Sequence, residues 1–298
     1  MTLRDDLPAW RHYFIDTPFW AAGLGGRRME ARMQHFHRAD LAPTRHALQF
    51  LWGAAATDEA LDAACRQALH CKIEREADAY RCQLPASPSY TIEGLPHLQA
   101  ACQQKGPVFL LTGHLGSFYT IAVALQRVGI PVFPVARSVD DSPANPTPRR
   151  LFERFNYAST ERRIGGHYLY TDFAGWMDKR IVSVCRQGGV VLVLPDLPRR
   201  LFPGGRHPVT LFDRPATLPA RLFELGHKYK ARFLPTWSLI GTTRRARSLR
   251  IEAPLPTESV AATLQGYADS LSRIVREAPA QWMALPIIEQ YLETPDAP

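Results

Sequence analysis

Apolar positions recur three and four residues apart in the first third of the chain, in runs carrying Leu48 and Leu51, then Leu61, Cys65, Leu69, Ile73 and Ala77. That spacing lines one face of an α-helix. Thr57 ahead of Asp58 and Glu59 reads as a helix start, since a hydroxyl can cap free amides and acidic side chains suit the positive end of the helix. A Pro/Ser-rich break, "QLPASPSYTIEGLPHLQ", then interrupts the helical texture. Residues 1–96 are therefore expected to form a helical segment packed on the core, and residues 97–298 a second unit.

From Pro107 onward, short apolar runs alternate with amphipathic stretches. "PVFLLT", "IPVFPVA" and "GGVVLVLPD" read as strands, with helices expected at Ser117–Val128, near Arg149–Tyr157 and at Asp172–Gln187. "HPVTLF", a helix at Leu218–Tyr229, the strands "ARFLPTWSLI" and "RSLRIEAPL", and a helix at Glu258–Glu277 complete the pattern. The expected fold class is α/β, a mostly parallel central sheet flanked by helices, preceded by the helical segment.

Composition excludes several classes. At 298 residues with 46% hydrophobic and 21% charged positions the chain is neither disordered nor fibrous. No run approaches the roughly 18 apolar residues of a membrane span, and Asp5, Asp6, Arg11 and Asp16 interrupt any leader, so a cytoplasmic protein is expected. Peripheral attachment to the inner face of the membrane through Phe14, Phe19, Trp20, Arg27 and Arg28 is the alternative, set against an apolar face buried on the core. Five cysteines without CxxC spacing argue for reduced thiols. The net charge is +8, and only five of the 36 basic residues are lysine. That suits an anionic or phosphate-bearing partner, although arginine bias from genomic base composition explains it equally well. No recognition motif or basic run supports nucleic-acid binding. The histidines, among them His35, His37, His167, His207 and His227, lack HxxxH or HExxH spacing, and no GxGxxG or GxxxxGK[ST] occurs, so neither a metal nor a nucleotide cofactor is expected.

Candidate chemistry gathers at "LTGHLGSFY". In parallel sheets, ligands bind where strands end and helices begin. His114 stands at such a joint, flanked by Gly113 and Gly116, which permit a sharp bend and close approach of a ligand to the main chain, with Ser117 beside them. An imidazole there suits general-base catalysis; the plain alternative is a histidine capping the next helix.

"GHLGSFY" resembles the HxxxxD/E block of the lysophospholipid acyltransferase superfamily, in particular the lipid A lauroyl and myristoyl acyltransferases. Further segments resemble that family in order: Arg137 after "IPVFPVA", "RRLFERFNYASTERRIGG", "CRQGGVVLVLPDLP" with Asp196, "VTLFDRPATLPARLFELGHKYKARFLPTWSLI" and "REAPAQWMALP". The resemblance implies an acyltransferase that takes an acyl group from a thioester of acyl carrier protein or coenzyme A, used as a donor substrate. His114 would deprotonate the acceptor, and a carboxylate five residues later would support the imidazolium.

Tyr119 occupies the position of that carboxylate. A phenol can fix a tautomer but cannot supply the charge. Either Tyr119 serves an easier acceptor, such as an amine, or Asp172, Asp178 or Asp196 reaches the imidazole from elsewhere, or the chain is a non-catalytic acyl or carrier-protein binding module. Thioester hydrolysis by the same histidine is a further alternative. The catalytic set expected is His114, Tyr119 and Asp196; Gly113, Gly116, Ser117, Arg137, Arg199 and Arg200 are expected to bind substrate. In "LPDLPRRLFPGGRHP", Arg199, Arg200 and Arg206 are placed to grip a phosphopantetheine phosphate or an acidic carrier, or else lie in a solvated loop. The resemblance implies an N-terminal hydrophobic anchor where this sequence offers "TPFWAAGLGG", so a small-molecule or carrier-tethered acceptor is expected. Cys185 reads as a buried structural thiol.

Overall fold

The structure is a computed structural model that describes residues 38–81, 89–137, 157–158, 160–171, 177, 179–200, 202–241 and 246–292. The residues considered for membrane attachment, the helix expected near Arg149, and both Asp172 and Asp178 lie outside these.

Among the described residues two helices come first, α1 (Arg38–Trp52) and α2 (Asp58–Arg81). The Thr57 hydroxyl accepts from the Ala60 amide at 3.3 Å, so α2 starts where its cap predicts. Leu48, Leu61, Cys65 and Leu69 are all buried, as their spacing requires. The remaining elements are β1 (Ser89–Glu93), α3 (Leu95–Cys102), β2 (Val108–Leu111), α4 (Ile121–Gln126), β3 (Val132–Arg137), β4 (Leu169–Thr171), α5 (Arg180–Arg186), β5 (Val190–Val193), β6 (Arg206–Leu211), β7 (Arg214–Pro219), α6 (Arg221–Lys228), β8 (Arg232–Ile240), β9 (Ala246–Ile251) and α7 (Val260–Glu277).

Among the described residues seven strands form one sheet in the order β1-β9-β8-β2-β5-β3-β4, and β6 and β7 form a separate hairpin. Neighbours in the large sheet run parallel except β8 and β9. This is the mostly parallel α/β class expected. β2 and β5 are buried at every position, because both faces of a parallel sheet are covered. Phe109, Leu111, Val191 and Val193 point into a cluster with Phe233, Trp237 and the apolar face of α7. Val108, Leu110, Val190 and Leu192 point oppositely, toward Leu98 of α3 and Ile121, Val123 and Leu125 of α4. The alternation is the period of two that a strand imposes.

Two expectations are corrected. β1 lies inside the stretch of residues 1–96 assigned to the helical segment, and it pairs in parallel with β9 from Ser89↔Ala246 to Glu93↔Arg250, so that stretch contributes a strand to the sheet. The helix expected over Leu218–Tyr229 starts only at Arg221, because β7 alternates Ala216 and Leu218 inward against β6. The turn between those strands went unread because Phe212 and Asp213, at φ of 53° and 61°, take the left-handed positions that Asn-Gly usually marks. No described helix is long and apolar enough to cross a membrane.

Candidate active site

β2 and β5 are neighbours in the sheet, with Leu111 paired to Val193. The Thr112 amide extends the ladder to the Val193 carbonyl at 2.9 Å, after which the two chains part. His114 and Asp196 each stand three residues beyond these paired strand ends, so the register alone delivers them side by side. The imidazole Nδ1 lies 2.8 Å from Asp196 Oδ1, and the His114 amide donates to Oδ2 at 2.7 Å. An ionised carboxylate only accepts, so this contact assigns the proton to Nδ1 and leaves the lone pair on Nε2. The Asp196 side chain is 0% exposed, whereas that of His114 is 22% exposed and open to a ligand.

The glycines explain how the two approach. A Cβ on Gly113 would lie 2.9 Å from Asp196 Oδ2, so any side chain there would push the carboxylate away. Gly116 has φ of +54°, and a Cβ on it would lie 1.8 Å from the Ser238 carbonyl oxygen. Both are internal. Ser117 is buried as well, and its hydroxyl donates to the Asp78 carboxylate of α2. The three residues expected to line the substrate are thus committed to shaping the loop from beneath.

Asp196 is held from several sides. The Trp282 indole donates to Oδ2 at 3.0 Å, and the Tyr291 hydroxyl donates to the Asp196 carbonyl at 2.9 Å. The Tyr267 hydroxyl donates to the Thr112 carbonyl at 2.8 Å. Burial, and then the Asp196 charge, push the phenols of Tyr267 and Tyr291 well above their ordinary range, which keeps both as donors. His114 itself is braced by the Met283 amide donating to its carbonyl at 2.8 Å and by the edge of its ring against Phe118, 5.2 Å between centroids.

Tyr119 stands elsewhere. Residues Phe118–Thr120 form a 3₁₀ turn, in which Phe118 takes the place beside the imidazole. The Tyr119 ring lies 4.1 Å from that of Phe118 and packs, half-buried, on the cluster that contains Tyr168. The carboxylate beside the imidazole is Asp196, one of the three acids the sequence offered as alternatives to Tyr119. Tyr119→Phe is accordingly expected to change turnover by no more than about threefold, the scale of about 0.5 kcal/mol typical of a substitution away from the chemistry. A steady-state measurement checks it, and a loss beyond tenfold would return the phenol to the mechanism.

Of the arginines, Arg206 is corrected. It donates at 2.9 Å to the Leu197 and Phe202 carbonyls and to the Thr217 hydroxyl, pinning the loop after Asp196 to the hairpin. Burial, then the nearby charge of Arg199, lowers its guanidinium to about 10 despite an opposing effect of Tyr291. Arg199 and Arg200 are exposed on the same loop, and Arg137 is exposed at the carboxyl end of β3. Burial pushes the Cys185 thiol up to about 11, away from nucleophilic chemistry.

A second feature escaped the sequence reading. Arg247 of β9 is 0% exposed in its side chain, and it donates to Asp78 at 2.5 and 2.9 Å and to Glu74 at 2.9 Å. Burial opposes its charge, but the two carboxylates outweigh burial and raise its pKa. Glu74 and Asp78 are four apart on α2 and so share a face, the one signal available in the sequence.

A parallel sheet with a glycine-flanked histidine at the joint between strand and helix is what the acyltransferase resemblance implied, and comparison with protein families agrees. Over residues 70–286 the chain matches the model of the bacterial lipid A biosynthesis acyltransferases, and it belongs to that family. The matched span takes in His114, Asp196, Trp282 and the acidic turn of α2. No individually curated protein matches the chain.

Proposed function

We propose that the chain transfers an acyl group from a thioester of acyl carrier protein or coenzyme A to a hydroxyl or amine acceptor, with His114 as general base and Asp196 as the carboxylate that orients it. The observation that carries this reading is the 2.8 Å contact between Nδ1 and Asp196 Oδ1, beneath an imidazole that is part-exposed. Nε2 takes the acceptor proton as the acceptor oxygen or nitrogen attacks the thioester carbonyl carbon. The tetrahedral intermediate collapses, the C–S bond breaks, and the imidazolium returns its proton to the departing thiolate. Asp196 holds the Nδ1–H tautomer and balances the imidazolium charge throughout. The acceptor is a small molecule or one tethered to a carrier.

The test is incubation with acyl thioesters of both donor types and candidate acceptors, with free thiol, free acid and acylated product followed separately. Thiol release matched by acylated product supports the proposal. Free acid alone would make the protein a hydrolase, and binding without turnover would make it an acyl-binding module.

Arg199 and Arg200, exposed beyond Asp196, suit the donor's phosphate or an acidic carrier surface. Arg199→Ala with Arg200→Ala should raise the donor KM several-fold at low salt and flatten its salt dependence while leaving Tm unchanged. A donor KM unaltered at low salt would leave both side chains to solvent.

A further inference from the structure

We infer that Trp282 is the positioning residue for the Asp196 carboxylate and, through it, for the His114 imidazole; the inference rests on the base assignment proposed above. A carboxylate carried on the histidine's own helical turn is aimed by that turn. Asp196 instead comes from the loop of a neighbouring strand, 82 residues away in sequence, and needs another device to aim it.

The terminal torsion of an aspartate is broad, so one contact leaves the carboxylate plane free to swing. Oδ1 faces Nδ1 at 2.8 Å, while Oδ2 takes two donors, the His114 amide at 2.7 Å and the Trp282 indole at 3.0 Å. The amide belongs to the loop being positioned. Among the described residues only the indole reaches the carboxylate from a separate segment, and it therefore ties the plane to the rest of the fold.

Trp282 is itself firmly seated. It is 2% exposed, bridges to Leu115 next to the histidine, and lies between the rings of Tyr291 at 5.3 Å and Phe212 at 5.5 Å. Phe212 presses on it from a left-handed backbone with φ of 53°, a conformation that a bulky residue keeps only where its surroundings impose it. The Phe212 amide donates to the Ser272 hydroxyl of α7 at 3.1 Å, which anchors that turn. The β6–β7 hairpin thus backs the indole, the indole aims the carboxylate, and the carboxylate selects the imidazole tautomer.

Trp282→Phe keeps an aromatic ring and removes the N–H, so it separates positioning from packing. In ¹⁵N-labelled protein, long-range ¹H–¹⁵N correlations should show His114 as the Nδ1–H tautomer in the wild type and as a mixture of both in Trp282→Phe. Turnover should fall about tenfold at unchanged donor KM, the scale of one lost hydrogen bond to a charged group. In an Asp196→Ala background the same change should have no further effect. A wild-type tautomer pattern in Trp282→Phe, or an equal loss of turnover in both backgrounds, overturns the inference. Should Trp282→Phe not fold, the Trp282 indole N–H resonance decides: it must shift in Asp196→Ala, and an unmoved resonance overturns the bond. An active His114→Ala would sink the base assignment while leaving the tautomer result standing. An inactive His114→Ala with an unchanged tautomer in Trp282→Phe would sink only the role of Trp282.

Discussion

Asp196→Ala should lower turnover by about 10³–10⁴-fold with donor binding retained, the scale seen when the carboxylate behind a catalytic histidine is lost. The size follows from the geometry: Asp196 Oδ1 is the acceptor of Nδ1–H at 2.8 Å, and without it nothing selects the tautomer that places the lone pair on Nε2. Asp196→Asn should lose about as much, because its amide can donate to Nδ1 and favour the wrong tautomer. His114→Ala removes the base outright and should lose about 10²–10⁴-fold. Because the two side chains act as a unit, the double variant should be little worse than the worse single one. Single-turnover rates with one acyl thioester and one acceptor measure all four proteins. An Asp196→Ala variant within tenfold of the wild type would dissolve the dyad, and multiplicative losses in the double variant would mean that each residue acts separately.

His114 was legible because its signal is local: an apolar strand, two glycines, and the start of a helical pattern within a dozen residues. Asp196 was one of three acids, with Asp172 and Asp178, that the sequence offered to the imidazole of His114, but nothing in the sequence singled it out. The contact between His114 and Asp196 follows from the pairing of β2 with β5 at Leu111↔Val193, and a single sequence does not carry strand register. The sequence leaves Tyr119 open between orienting the imidazole and giving way to another acid for a related reason. The motif position presumes a helical turn after the histidine, whereas the 3₁₀ turn Phe118–Thr120 sets Phe118 against the imidazole and directs Tyr119 to the cluster around Tyr168. The groups that lie close to the two glycines are Asp196 and the Ser238 carbonyl, both remote in sequence. The β6–β7 turn hid because bulky Phe212, and not Asn or Gly, fills the first left-handed position ahead of Asp213. For Asp196 and the glycines the missing information is a contact distant in sequence.

The same distance hides the feature with the largest expected effect on stability. Arg247 meets Asp78 across 169 residues and Glu74 across 173, which ties β9 to the helix that runs beneath the histidine loop. Arg247→Met would leave two carboxylates buried without their cation, and breaking a buried pair from one side costs about 3–5 kcal/mol. Urea unfolding should therefore show a midpoint lowered by more than 1 M at an unchanged slope, taking roughly 1–3 kcal/mol per molar for that slope. Replacing Asp78 and Glu74 along with Arg247 by apolar residues of similar volume should recover part of that loss, because the three charges of the network are then removed together. Turnover should not recover with it. Asp78 accepts the Ser117 hydroxyl, and Ser117 follows the glycine that packs on Ser238, so the apolar triple variant stays folded with a loosened histidine loop. A triple variant as active as the wild type would confine the network to stability. An Arg247→Met variant with an unmoved urea midpoint would show that the buried carboxylates find partners other than this arginine.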